Sequence, residues 1–131
     1  MTPLQEQFSI LQAEHPQATM IPLPDGSHLV VVPAIRLSSA WSKSPVVVKF
    51  IAPVGYPFGR PDCFWTDHDL RLSNGNPPQC SGPNPIPNNV NTPYSNMPHL
   101  WFSWHLGGWN PNSDNLLTYL HVIKTRFVEA R

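Results

Sequence analysis

The sequence predicts an α+β domain: an N-terminal helix, a four-stranded antiparallel meander, a long coil and a C-terminal helix. Three observations predict it. Apolar residues recur at helical spacing near both ends of the chain, form β-branched runs between residues 18 and 66, and lose all period from 67 to 98. Strands collected together, with helices at the ends rather than alternating with them, argue against a parallel sheet.

A length of 131 residues suits one domain with a modest core, so residues 1–131 are read as a single unit. In residues 3–14, Leu4, Phe8 and Leu11 lie on a helical stripe, with Thr2 placed to cap and Pro3 at the first helical position. Pro16 ends that helix. Ala18–Leu23 and His28–Leu37 are β-rich runs flanking Pro24-Asp25-Gly26-Ser27, a tight hairpin turn, and Pro33 predicts a break or bulge in the second run.

Pro45–Ala52 is the third strand, with Val46, Val48 and Phe50 on one face and Val47 and Ile51 on the other. Pro53, Pro57 and Pro61 keep the next stretch extended before a short fourth strand, Asp62–Thr66. Leu100–Trp109 is aromatic, and periodicity leaves helix and strand both open there. Its tryptophans read as core groups packed on the last helix. That helix carries Leu116, Leu120, Ile123 and Phe127 on one stripe, with Ser113 or Asp114 as cap and Lys124 and Arg126 near its C-terminal dipole end.

Composition narrows the function. Lys plus Arg and Asp plus Glu each number 8, and no basic run occurs, which leaves no electrostatic footprint for a nucleic-acid partner. The N-terminus lacks a cationic leader and no 18 apolar residues run together, so the expectation is a soluble, cytoplasmic protein without a membrane partner. The 2 cysteines, Cys63 and Cys80, do not make a disulfide framework and are read as reduced thiols. No CxxC or HxxxH spacing is present, so no metal and no cofactor is expected. Cys63, on a strand, reads as a packed thiol. Cys80, with polar, proline-rich flanks, reads as reachable.

The order of motifs from Tyr56 to Pro111 resembles the ubiquitin-conjugating enzyme (UBC) family. Tyr56-Pro57-Phe58 and Arg60-Pro61 lead into Cys63-Phe64-Trp65; Cys80 follows 15 residues after Trp65, and then comes Trp109-Asn110-Pro111. The element order resembles the family's along nearly the whole chain. Two departures make the likeness closest to divergent prokaryotic members. Leu72-Ser73-Asn74-Gly75-Asn76-Pro77-Pro78 stands where the family has a His-Pro-Asn triplet, and 29 positions separate Cys80 from Trp109, which implies an insertion over about residues 81–99.

The resemblance implies a transferase. Cys80 would accept the C-terminus of a ubiquitin-like protein as a thioester from an activating enzyme and pass it to a target lysine. Asn74 and Asn76 are the candidate oxyanion donors in place of the missing triplet, and His99 and His105 are candidate bases that would fold back towards Cys80. The alternative is a catalytically inactive UBC-like module that binds a ubiquitin-like protein or its activating enzyme. A thiol hydrolase built on Cys80 and His99 is a third reading.

Overall fold

The computed structural model describes residues 2–131. Helix α1 spans Pro3–Glu14; its cap is reciprocal, Gln5 N–H donating to the Thr2 hydroxyl and Thr2 N–H to the Gln5 side chain. Among the described residues six strands follow: β1 Thr19–Pro22, β2 His28–Ile35, β3 Val46–Ala52, β4 Phe64–Asp67, β5 Ser81–Pro83 and β6 His99–Phe102. Helix α2, Leu116–Val128, closes the chain. Its cap is Asn115, not Ser113 or Asp114, because the Asn115 side chain is the one that accepts from Thr118 N–H.

All six strands join one antiparallel sheet in the order β1-β2-β3-β4-β6-β5. The four-strand meander is therefore an undercount. The aromatic run begins as strand β6, which pairs with β4, and the aperiodic stretch hides the three-residue β5, which pairs with β6. A strand of three residues holding Gly82 and Pro83 carries no alternation to read, and its ladder is supplied by a partner far along the chain. The hairpin between β1 and β2 forms as expected, with Asp25 accepting from Ser27 and Gly26 at φ +91°. Register slips between Val32 and Ile35, where Ala34 takes φ +63° beside Pro33.

The two faces of the sheet are covered differently. One packs Val30, Val48, Phe50, Phe64 and Phe102 against Leu11 of α1 and Leu116, Tyr119, Leu120, Ile123 and Phe127 of α2. Phe64 and Phe102 stack at 4.7 Å, and both meet Phe127 edge-on at 5.6 and 5.7 Å. Such ring pairs add about 0.5–1.5 kcal/mol beyond area burial, so they tie β4 and β6 firmly to α2. The other face buries Leu29, Val31 and Trp65 under Ile86, with Tyr94 and Trp101 at the edge. The segment between β5 and β6 is thus a cover for the outer face of the sheet. No helix among the described residues is long and apolar enough to cross a membrane.

Candidate active site

Cys80 sits at the start of β5, the outermost strand of the sheet, and is exposed. Its backbone is in the left-handed region at φ +59°, which turns the chain from the Pro77-Pro78 coil into the edge strand. A non-glycine residue stays there only when its surroundings hold it. They do so through main-chain bonds: Ser103 N–H donates to Cys80 O at 2.8 Å, and Gln79 N–H donates to the main-chain oxygen of Arg131 at 3.1 Å.

Beneath this loop lies Arg126, only 2% exposed. Its Nη2 donates to Gln79 O at 3.0 Å and to Arg131 O at 2.7 Å, and its Nη1 to Glu129 O at 2.8 Å. The guanidinium lies 5.8, 5.3 and 5.4 Å from the ring centres of Trp41, Phe102 and Trp104. Burial, then the neighbouring Arg131, lowers its basicity, while Cys80 and Glu129 act in the opposite sense. It remains a cation, because arginine is not deprotonated in proteins. Arg131 extends the clamp by donating to the Gln79 side chain at 3.1 Å.

Sequence reading placed Arg126 at the dipole end of the helix and missed this role. The signal was available: Arg126 falls seven residues after Tyr119 and three after Ile123, on the apolar stripe itself.

The other proposed site residues are placed as follows. Asn74 Oδ1 accepts from Asn76 N–H at 2.9 Å, and Leu72 N–H donates to Asn76 O, which makes this run a self-contained exposed turn. The side-chain NH2 groups of Asn74 and Asn76 make no hydrogen bond among the described residues.

His99 is buried, with Nε2 at 3.1 Å from Lys49 Nζ and Nδ1 donating to Met97 O at 3.0 Å. It lies three positions along β6 from Phe102, the partner of Ser81, which is roughly 10 Å at ~3.3 Å per residue. Both nitrogens are committed to Lys49 and Met97, so the structure does not bring His99 together with Cys80. The ring instead lines a cleft of about 330 Å³ with Lys43, Lys49, Asp67, Tyr94 and Met97. Lys49 lies 4.4 Å above the Tyr94 ring. Burial, then the charge of Lys49, lowers the basicity of His99, and burial lowers that of Lys49.

His105 is likewise not brought beside Cys80. Its Nδ1 lies 2.6 Å from Asp62 Oδ1 and 4.0 Å from Cys63 Sγ, so its contacts are with the other cysteine. Cys63 is buried, as expected, though it stands just before β4 rather than on it, and burial followed by the charge of Asp62 pushes its pKa up. Trp109, opening the W-x-P motif, donates from Nε1 to Pro57 O at 2.7 Å and packs on Tyr56 at 6.0 Å. The two halves of the family signature are therefore in direct contact.

Comparison with known proteins places this arrangement in a family. The model of the prokaryotic E2 family E matches residues 18–130. No curated protein and no solved structure gives a significant match. The chain belongs to the prokaryotic E2 family E, a UBC-like family, and that membership suggests a role in conjugating ubiquitin-like proteins.

Proposed function

We propose that this E2 family E protein is a conjugating enzyme that carries a ubiquitin-like protein on Cys80. The observation that supports this best is the setting of the two thiols: Cys80 is exposed at the rim of the sheet, in a loop held from below by Arg126, whereas Cys63 is buried. In the first step the Cys80 thiolate attacks the carbonyl of the thioester on the activating enzyme. A new C–S bond forms, and the activating enzyme's sulfur leaves as its thiolate. In the second step a target lysine amine attacks the Cys80 thioester; the amide forms, the Cys80 thiolate departs and the amine loses its proton to solvent.

Each attack creates an oxyanion that needs a donor. The uncommitted NH2 groups of Asn74 and Asn76 are the side-chain donors we assign to it, in the turn preceding Pro77-Pro78. Arg126 is a positioning residue, since its hydrogen bonds go to main-chain oxygens, joining Gln79 of the loop to Glu129 and Arg131 beyond α2. The partners on this reading are an activating enzyme, a ubiquitin-like protein and lysines of target proteins.

The test is reconstitution with the cognate activating enzyme, ATP and ubiquitin-like protein. The expected product is an adduct removed by reducing agent, absent from Cys80→Ala and retained by Cys63→Ala. Cys80→Ser should give an adduct that resists thiols and yields to base, because an ester replaces the thioester. An adduct that persists on Cys80→Ala overturns the assignment. Saturable binding of the ubiquitin-like protein with no adduct under any condition would establish the inactive binding module in its place.

A further inference from the structure

We propose that Asp62, Cys63 and His105 form a binding site for a divalent d-block cation of the Zn2+ type, separate from Cys80 and independent of the transfer chemistry above. One carboxylate oxygen, one sulfur and one ring nitrogen from these residues lie within 4.8 Å of one another. The sequence gives no hint of this, because His105 lies 42 positions beyond Cys63 and the fold alone joins them.

Convergence on a single atom distinguishes this cluster from a catalytic triad. In a Cys-His-Asp relay the thiol and the carboxylate occupy opposite nitrogens of the imidazole, so that a proton taken at one is balanced at the other. Here Asp62 Oδ1 and Cys63 Sγ both face Nδ1, at 2.6 and 4.0 Å. Three donors aimed at one region suit a cation at their centre.

The spacing also suits it. Tetrahedral zinc bonds of about 2.3 Å to sulfur and about 2.0–2.2 Å to nitrogen and oxygen put neighbouring donors about 3.3–3.6 Å apart. The observed 2.6 and 4.0 Å lie on either side of that range. The side chains that must adjust are free to do so, since Asp62 is 53% and His105 61% exposed.

The backbone behind them is fixed. Cys63 N–H donates to Trp104 O at 3.2 Å, and the buried Tyr119 hydroxyl lies 2.9 Å from Cys63 O and 3.3 Å from Trp104 O. The residue before β4 and the segment after β6 are thus held together from the helix side, with the buried Cys63 thiol beneath the exposed Asp62 and His105 side chains. A thiolate with an imidazole and a carboxylate is a borderline donor set that favours Zn2+ over the hard cations Mg2+ and Ca2+. Loading would release the thiol proton to solvent and move the imidazole proton from Nδ1 to Nε2, leaving the fourth position to water.

The experiment is titration of the reduced, full-length chain with Co2+ as a spectroscopic stand-in, followed by displacement with Zn2+. The expected result is one Co2+ per chain, with a near-ultraviolet thiolate-to-cobalt band and strong visible bands of a four-coordinate site. Cys80→Ala should keep both signals. Cys63→Ser should lose the sulfur band, and the exposed His105→Ala should weaken binding by at least the roughly 10–100-fold that loss of even an outer-shell partner costs. Zn2+ should raise the melting temperature of the wild type and of Cys80→Ala but not of His105→Ala, whose fold is checked by its own melting transition. Absence of a sulfur band in excess Co2+, or a band that survives Cys63→Ser and vanishes with Cys80→Ala, overturns the proposal.

Discussion

Cys63 and Cys80 share a backbone conformation and little else. Both are non-glycine residues in the left-handed region, at φ +61° and +59°, and both stand immediately before a strand. Cys63 leads into β4, which has neighbours on both sides and a helix below, so its thiol is buried, with His105 Nδ1 4.0 Å away and Asp62 bonded to that ring. Cys80 leads into β5, which has a partner on one side only, so its thiol opens to solvent while Arg126 holds the preceding peptide. The same turn thus yields an enclosed thiol or an open one according to where its strand falls in the sheet. Position in the sheet, not local sequence, sets the exposure of each.

Alkylation kinetics would test this difference most directly. With iodoacetamide under native conditions, Cys80 should react at least about 100-fold faster than Cys63, because exposing a buried thiol takes local opening that costs a few kcal/mol. Mass spectrometry of the time course assigns each site, and comparable rates would abolish the distinction. A smaller effect should come from removing the clamp that ties the Cys80 loop to the segment after α2. Arg126→Met takes a donor from three carbonyl groups and also relieves the burial of a cation, and should lower stability by about 2 kcal/mol. Urea unfolding would show it as a lower midpoint at unchanged slope. In the same variant, slower adduct formation on Cys80 with unaltered alkylation of Cys63 would place the effect on the loop.

The smallest effect is expected at His99, remote from both thiols. Its folded pKa is depressed below the ordinary 6.5, first by burial and then by Lys49. The unfolded chain therefore binds more protons than the fold between that depressed value and 6.5. The contribution of His99 is fully present above about pH 6.5 and is lost as pH falls towards the folded pKa. In His99→Gln the decline in stability below pH 6.5, measured by urea midpoints, should be shallower, while Cys80 alkylation at neutral pH should be unchanged. An identical pH profile in the two proteins would remove His99 as a source of acid sensitivity.

Elements with strong local causes were legible beforehand. The stripe of α2, the Thr2 cap, the hairpin at Asp25-Gly26 and the bulge at Pro33-Ala34 all follow from contacts between residues a few positions apart. The motifs running from Tyr56 to Pro111 were also enough to point to the UBC-like family to which the chain belongs. Less of the candidate site could be read. Placing both histidines beside Cys80 rested on the presence of the right residue types, and types do not specify direction along a strand or across a sheet.

Local spacing and composition thus determined the helices and the first strands, and the resemblance carried by the ordered motifs pointed to the family and to Cys80. Tertiary structure alone decided that β5 exists, that it forms the edge of the sheet, that Arg126 lies beneath the Cys80 loop, and that His105 meets Cys63. The reason is physical: helix periods, caps and tight turns arise from interactions a few residues apart, whereas an edge strand, a buried cation and a cluster of donors arise from pairings between residues 17 to 47 positions apart.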